Sequence, residues 1–265
     1  VTALAVPPLI DSHVHIFTRG MPFSPTAWCR PDYEFTAEQC LATLDQHGVA
    51  SAIVAACSLF GDYNDYTRWA VRTYPRLRGT VIVEPTVSFD DLATMRREGI
   101  LGVRFQWHHC EIPDIEGPEH QAFFARLRAL GMHVHLNVNP ERVHEVLPRL
   151  SNQGVPLVLD HMGHPKGGLE TPGFKATLQA LRDGNTWVKI SGAYRLFETR
   201  EAIDAYVAAL AAADRTRLMW GSDCPFIGVE ATTYGQVVAD FDRWTADAGL
   251  RAQIARNAFD FYFLR

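Results

Sequence analysis

The sequence is short of cysteine, has no long apolar run and carries no excess of positive charge. Its five cysteines, Cys29, Cys40, Cys57, Cys110 and Cys224, are scattered, odd in number and form no CxxC pair. A disulfide framework or a cysteine-built zinc site is therefore not expected, and a reducing cytoplasm fits better. No apolar stretch reaches the roughly 18–20 residues that cross a bilayer, so no membrane partner is expected. The opening VTALAVPPLID has no basic leader ahead of a long apolar segment, and no secretory signal is read there. A formal charge of −5 argues against a binder of phosphate backbones, so no nucleic-acid partner is expected. A glycine-rich phosphate turn is also missing after the first apolar run, where DSHVHIF stands instead.

What is present is the composition of an ordinary globular chain: 265 residues, 47% hydrophobic and 21% charged. A short β-branched run followed by a stretch of helical character recurs along it. The runs are Leu9–Phe17, Ser51–Cys57, Gly79–Glu84, Gly102–Trp107, His133–Asn139, Pro156–Gly163, Trp187–Gly192 and Leu218–Pro225. The clearest helical stretches are Thr36–His47, Asp62–Tyr74, Pro118–Leu130, Pro140–Leu150 and Glu198–Ala213. Thr36 with Gln39 has capping-box spacing, and Pro140-Glu141 after Asn139 reads as a helix start. Eight such units predict a single (β/α)8 TIM barrel of the α/β class over residues 1–265, with room for distortion. A doubly wound open sheet is the second choice.

Barrel strands are buried on both faces and should be apolar throughout. Several of these runs instead turn polar at their C-terminal ends. His13 and His15 close the first, Arg104 and Gln106 the fourth, and Asn137 and Asn139 the fifth. His161 closes the sixth, Lys189 and Ser191 the seventh, and Asp223 the eighth. Any one of these could be a satisfied strand end; six together predict a shared site at the C-terminal mouth. His13-Val14-His15 puts two imidazoles on one face, on the order of 6–7 Å apart along the strand. In a closed barrel the first and eighth strands are neighbours, which brings Asp223 beside that pair. Two imidazoles and a carboxylate suit zinc. Equally, Asp223 could take a proton from water.

With these motifs in place, the chain resembles the amidohydrolase superfamily, in its amidohydrolase-2 branch. The residues that carry the likeness are IDSHVHIF, GVRFQW, PLVLDHMGHP, TWVKISGAYRL, LMWGSDCPF and a closing RNAFDFY, in that order over about residues 9 to 262. LDHMG and VRF-Q-W favour the lactonase group, which includes hydrolases of 2-pyrone-4,6-dicarboxylate and of sugar lactones. The resemblance implies that Asp223 is the general base and that His13, His15 and His161 are catalytic partners. It also implies that Arg104, Arg195 and Tyr33 contact substrate, with Asn137 beside them. A ligand set of His13, His15 and Asp223, with His161 as a further candidate, implies one divalent ion, zinc first. Metal-binding members usually have a histidine where Asn137 stands, and Val103-Arg104-Phe105 offers no carboxylated lysine. A binuclear centre is therefore not expected, and metal-free catalysis stays open.

The expected function is hydrolytic opening of a carboxylate-bearing lactone or related cyclic ester, by a monomer or homo-oligomer acting on a small anionic substrate. A metal-dependent decarboxylase of a small aromatic or unsaturated acid is the alternative, and a non-catalytic barrel that binds a small acid is a third. Other residues receive blander readings. Lys189 is expected to partner a buried acid, and Arg104 or Arg195 could pair with Asp160 or Glu84. At most one of His108 and His109 is expected at the mouth, because neighbours on an extended chain face opposite ways. His164 reads as loop structure, and His47, His120 and His144 as surface positions on helices. Residues 17–35 read as a first loop folding over the mouth.

Overall fold

The computed structural model describes residues 8–264, so most of the opening segment read for a leader lies outside it. Eight parallel strands form one sheet in the order in which they occur. They are β1 (Ile10–Val14), β2 (Ser51–Val54), β3 (Leu77–Val81), β4 (Ile100–Trp107), β5 (His133–Val138), β6 (Leu157–Leu159), β7 (Thr186–Ile190) and β8 (Leu218–Trp220). Around them run α1 (Ala37–Gln46), α2 (Asp65–Thr73), α3 (Phe89–Glu98), α4 (Pro118–Ala129) and α5 (Val143–Ser151). The circuit continues with α6 (Pro172–Asp183), α7 (Arg200–Asp214), α8 (Tyr234–Trp244) and α9 (Ala248–Phe263). This is the expected TIM barrel. The third strand runs two residues earlier than expected, so Glu84 falls in the loop beyond it.

Local chemistry sets the helix starts. Thr36 caps α1 and Thr233 caps α8, each in a capping box closed by a glutamine three residues on. Pro118 and Pro172 open α4 and α6, where the missing N–H costs nothing. The barrel interior is filled near its bottom by Ile10, Ile53, Leu101, Val158, Trp187 and Met219. Ala258, Phe261 and Tyr262 of α9 pack onto that layer and close the bottom. Among the described residues, the interior thus opens toward the C-terminal strand ends.

Closure between β1 and β8 is made mostly past the end of β8. The His15 N–H donates to the Cys224 carbonyl at 2.8 Å, and the Asp223 N–H to the His13 carbonyl at 2.8 Å. Asp11, fully buried on β1, reinforces the seam. Its Oδ1 accepts from the N–H groups of Ser222 (2.9 Å) and His13 (3.1 Å), and its Oδ2 from the Tyr234 hydroxyl (2.8 Å). Burial still pushes its carboxyl up to about 6. Gly221 lets this seam close, since a Cβ there would lie 2.7 Å from the His13 Cβ.

Candidate active site

His13 lies on β1 and His15 one residue beyond its end, both pointing into the barrel mouth. Their rings meet edge to face with Nε2 atoms 3.3 Å apart. The His15 Nδ1 lies 2.8 Å from the Ala55 carbonyl, which must accept, so Nδ1 carries a hydrogen and Nε2 is turned to the cavity floor. Asp223 arrives from the far side of the seam in a left-handed conformation, φ 66°. Its Oδ1 stands 3.3 Å from the His15 Nε2 and 3.6 Å from the His13 Nε2. Its Oδ2 accepts from the Arg195 Nε at 2.5 Å and the Tyr194 hydroxyl at 2.8 Å. Burial works against ionisation of Asp223, but Arg195, His161 and the paired imidazoles outweigh it and hold the carboxyl well below its usual range.

These three ligand atoms form a candidate cation site. Separations of 3.3, 3.3 and 3.6 Å are those of donors sharing one ion at about 2.0–2.2 Å. Two imidazole nitrogens and a carboxylate oxygen suit a divalent transition metal. The outer partners also fit: His15 is oriented by a carbonyl, and the His13 Nδ1 faces the Asp160 carboxylate at 3.2 Å. His161 is not one of the converging donors among the described residues. Its ring centre is 4.8 Å from that of His13, and its Nδ1 is 3.0 Å from the Ser191 hydroxyl.

Beneath this floor lies a buried charge layer. The Asp160 Oδ2 accepts from the Arg104 Nε at 3.0 Å, and Arg104 also donates to the Ala56 carbonyl at 2.7 Å. The Lys189 Nζ is 3.2 Å from the Asp160 Oδ1, the His13 Nδ1 and the His135 Nδ1 alike. Burial pulls the Lys189 ammonium down to about 8, against the opposing pull of Asp160. Burial also opposes ionisation of Asp160, yet Lys189, His13 and Arg104 hold it well below the ordinary range. Lys189 is therefore the buried acid partner expected, and Arg104 takes the barrel-carboxylate reading: it borders the cavity with its side chain only 3% exposed.

The residues after β6 are unusual. His161, Met162, Gly163 and His164 have φ of 51°, 58°, 74° and 52°, a run of four left-handed residues of which three are not glycine. Each non-glycine residue costs roughly 1–2 kcal/mol in this conformation. The turn sends two imidazoles three positions apart into one space, with ring centres 5.1 Å apart. His164 is more than loop structure. Its Nε2 lies 2.9 Å from the Asn137 Oδ1, and the Asn137 amide donates to the Gln106 Oε1 at 3.1 Å. Gly192, φ 61°, makes room for this turn, since a Cβ there would sit 2.6 Å from the His161 Nδ1.

Above the floor opens a cavity of about 330 Å³. Of the expected residues, His15, Arg104, Asn137, His161, Arg195 and Asp223 line it, and His13 lies just below. Tyr33 stands apart: it packs on Phe17 and its hydroxyl is 3.4 Å from Glu230. Both His108 and His109 line the cavity, because β4 ends at Trp107 and strand alternation no longer governs them. His120 is buried beside Phe124 rather than exposed. Tyr194, unremarked in the sequence, holds Asp223; its only signal was adjacency to Arg195 in AYR. The loop over residues 17–35 is pinched by backbone bonds between Phe17 and Phe35, and its Trp28 lines the cavity.

A parallel eight-stranded barrel with two histidines from its first strand and an aspartate just past its eighth, gathered at the C-terminal mouth, defines a TIM-barrel protein built for chemistry on a small molecule. The chain belongs to the amidohydrolase family, whose model matches residues 10–264, and is a hydrolase of that superfamily. It is 29% identical over 237 residues to the 4-sulfomuconolactone hydrolase of Hydrogenophaga intermedia, covering 82% of this chain and 75% of the relative. It is 26% identical over 233 residues to the 2-pyrone-4,6-dicarboxylate hydrolase of Comamonas testosteroni, covering 82% and 76%. A candidate 2-pyrone-4,6-dicarboxylic acid hydrolase from Acinetobacter baumannii, solved with citric acid bound, superposes with a TM-score of 0.92 at 28% identity, covering 96% and 98%. Among the described residues no helix is long and apolar enough to cross a membrane.

Proposed function

We propose that this protein hydrolyses a carboxylate-bearing lactone or related cyclic ester, with Asp223 taking the proton of the attacking water. The observation that carries this reading is the division of labour on Asp223. Its Oδ2 is held by Arg195 and Tyr194, while Oδ1 faces the imidazoles at the cavity floor. A general base must first be ionised and within reach of its proton. The surroundings of Asp223 meet the first condition at neutral pH.

Water seated against Oδ1 gives up its proton as its oxygen adds to the ring carbonyl. His161 is neutral, because burial pulls it down to about 4. In this reading the His161 proton sits on Nε2 and serves the developing oxyanion, and Nδ1, 3.0 Å from the Ser191 hydroxyl, is the acceptor of that contact. A pre-placed donor of this kind contributes on the order of 3–4 kcal/mol to the transition state. Of the two arginines, Arg195 is the better placed to meet a substrate carboxylate, its side chain being 20% exposed against 3% for Arg104. A divalent ion, zinc by preference, held by His13, His15 and Asp223 would polarise the carbonyl and lower the pKa of bound water.

Two relatives are hydrolases named for anionic cyclic esters, which supports the substrate class. The five free cysteines support a reducing, cytoplasmic setting, and the net negative charge supports the absence of a nucleic-acid partner. The test is a proton-release screen of carboxylated lactones and pyrones, with metal content measured on the same sample before and after chelation. Ring opening with proton release is expected. Release of carbon dioxide from an unsaturated acid, with no lactone opened, replaces this reading by the decarboxylase one.

A further inference from the structure

Gln106 stands across the mouth from Asp223. It lies one residue from the end of β4, and in a closed cylinder of eight strands β4 is opposite β8, beyond which Asp223 comes. A substrate whose carbonyl meets Asp223 therefore reaches toward Gln106 with its far end. The guanidinium groups that border the cavity do not serve that end. Arg195 follows β7 and is bonded to Asp223, while Arg104 lies one pleat deeper on β4, paired with the buried Asp160. An acid group at the far end needs another donor.

A chain of two hydrogen bonds sets the Gln106 amide in one orientation. The His164 Nε2 lies 2.9 Å from the Asn137 Oδ1, a carbonyl oxygen that can only accept, so that nitrogen donates. The Asn137 amide nitrogen donates in turn to the Gln106 Oε1 at 3.1 Å, across the β4–β5 register that pairs the two residues. The oxygen of the Gln106 amide is thus engaged, and its nitrogen is left with two hydrogens. Among the described residues that nitrogen has no hydrogen-bond partner, and the side chain lines the cavity. Without the chain the amide is free to turn over and present its oxygen, which repels an anion.

The strained turn after β6 has a use in this arrangement. His161, Met162 and His164 hold left-handed conformations, and the turn they make brings His164 onto Asn137. Strain of this kind persists where the surroundings fix it, commonly at functional sites.

We infer that Gln106 is a substrate-binding residue whose Nε2 donates to the acid group remote from the reacting carbonyl. Asn137 and His164 are positioning residues that fix which end of the Gln106 amide faces the cavity. Asn137, expected to contact substrate, already has its oxygen and one amide hydrogen engaged with protein. The inference rests on the lactone reading for the reaction, and binding alone can test it.

The test measures KM and kcat on the lactone acid found by the proton-release screen, and calorimetric binding of benzene-1,3-dicarboxylate, an unreactive probe. Gln106→Met keeps length and removes the amide. It should raise KM and the probe Kd by about ten- to a hundredfold, with kcat falling much less, because the bond is made to a charged group that does not react. Gln106→Glu keeps an oxygen for Asn137 and puts a second one where the donor was, so it should bind the probe more weakly than Gln106→Met. Asn137→Asp still accepts from His164 but turns the Gln106 amide round. In that background Gln106→Met should cost less than threefold, a coupling that a merely structural role would not produce. Where Asn137→Asp fails to fold, His164→Ala supplies the same comparison, and the cost of Gln106→Met should again shrink. Gln106→Met within threefold of wild type in both KM and Kd overturns the inference. An equal cost of Gln106→Met in every background overturns the positioning roles. If no lactone turns over but the probe binding follows this pattern, the hydrolase reading falls and the subsite stands. Lactone turnover without the pattern refutes the subsite alone, and no turnover with no probe binding refutes both.

Discussion

Arg195 and Asp223 are locked at 2.5 Å between Nε and Oδ2, and that contact decides which carboxylate oxygen is available for chemistry. Tyr194 secures the same oxygen, so Oδ1 alone faces the paired imidazoles.

Asp223→Asn keeps the shape and removes the charge and the basicity. Turnover should fall by about 10²–10⁴, the usual contribution of a positioned general base. Steady-state rates on whichever lactone the screen identifies provide the check. An Asn variant retaining more than a tenth of wild-type turnover would show that the proton goes elsewhere.

Lys189→Met should be costly although the lysine lies beneath the cavity and not in it. It leaves Asp160 facing His13 with only Arg104 to balance it. Breaking a buried ion pair by removing one member typically costs about 3–5 kcal/mol. Denaturant titration measures this directly. A double change, Lys189→Met with Asp160→Leu, should recover part of the loss, because no buried charge is then stranded against the imidazoles.

Gly192→Ala adds one methyl where φ is 61° and the His161 Nδ1 would lie 2.6 Å away. The backbone penalty alone is about 1 kcal/mol. The larger expected effect is on activity, as the His161 ring is pushed off its bond to Ser191. Thermal melting and turnover of the same sample check both, and a variant that melts and works like wild type contradicts the packing described.

Glu98 reports on stability away from the site. It accepts from Arg68 at 2.7 and 2.9 Å and from Arg72 at 2.7 Å, and these bonds hold its carboxyl below the ordinary value against the effect of partial burial. A depressed folded-state pKa stabilises above the unfolded value near 4.5, and that stability is lost as pH falls through the folded one. Glu98→Gln should therefore cost about 1 kcal/mol at pH 7 and progressively less below about pH 4. Urea midpoints of both proteins across that range test the sign; a gap that widens in acid would be inconsistent with it.

The barrel was legible because eight short apolar runs alternating with helical stretches leave few other architectures. The meeting of His13 and His15 with Asp223 was legible for a topological reason: strands one and eight of a closed barrel are neighbours whatever the loops do. The polar ends read on the fourth and fifth strands also meet, with Gln106 paired to Asn137 at the cavity. Reading failed where alternation stops. His108 and His109 both reach the cavity because the chain turns after Trp107, and the left-handed turn that aims His164 has no periodic signature.

By itself, then, the order of residues determined the number of strands, the face each polar strand end presents and the charge of the groups at the mouth, since these follow from local periodicity and covalent identity. Only the tertiary structure decided which partner each group takes. Arg104 turns inward to Asp160, Arg195 turns to Asp223, and Tyr33 leaves the cavity for Glu230. Such pairings depend on distances of a few ångströms between segments far apart in the chain, where burial makes an unpaired charge too costly to leave alone.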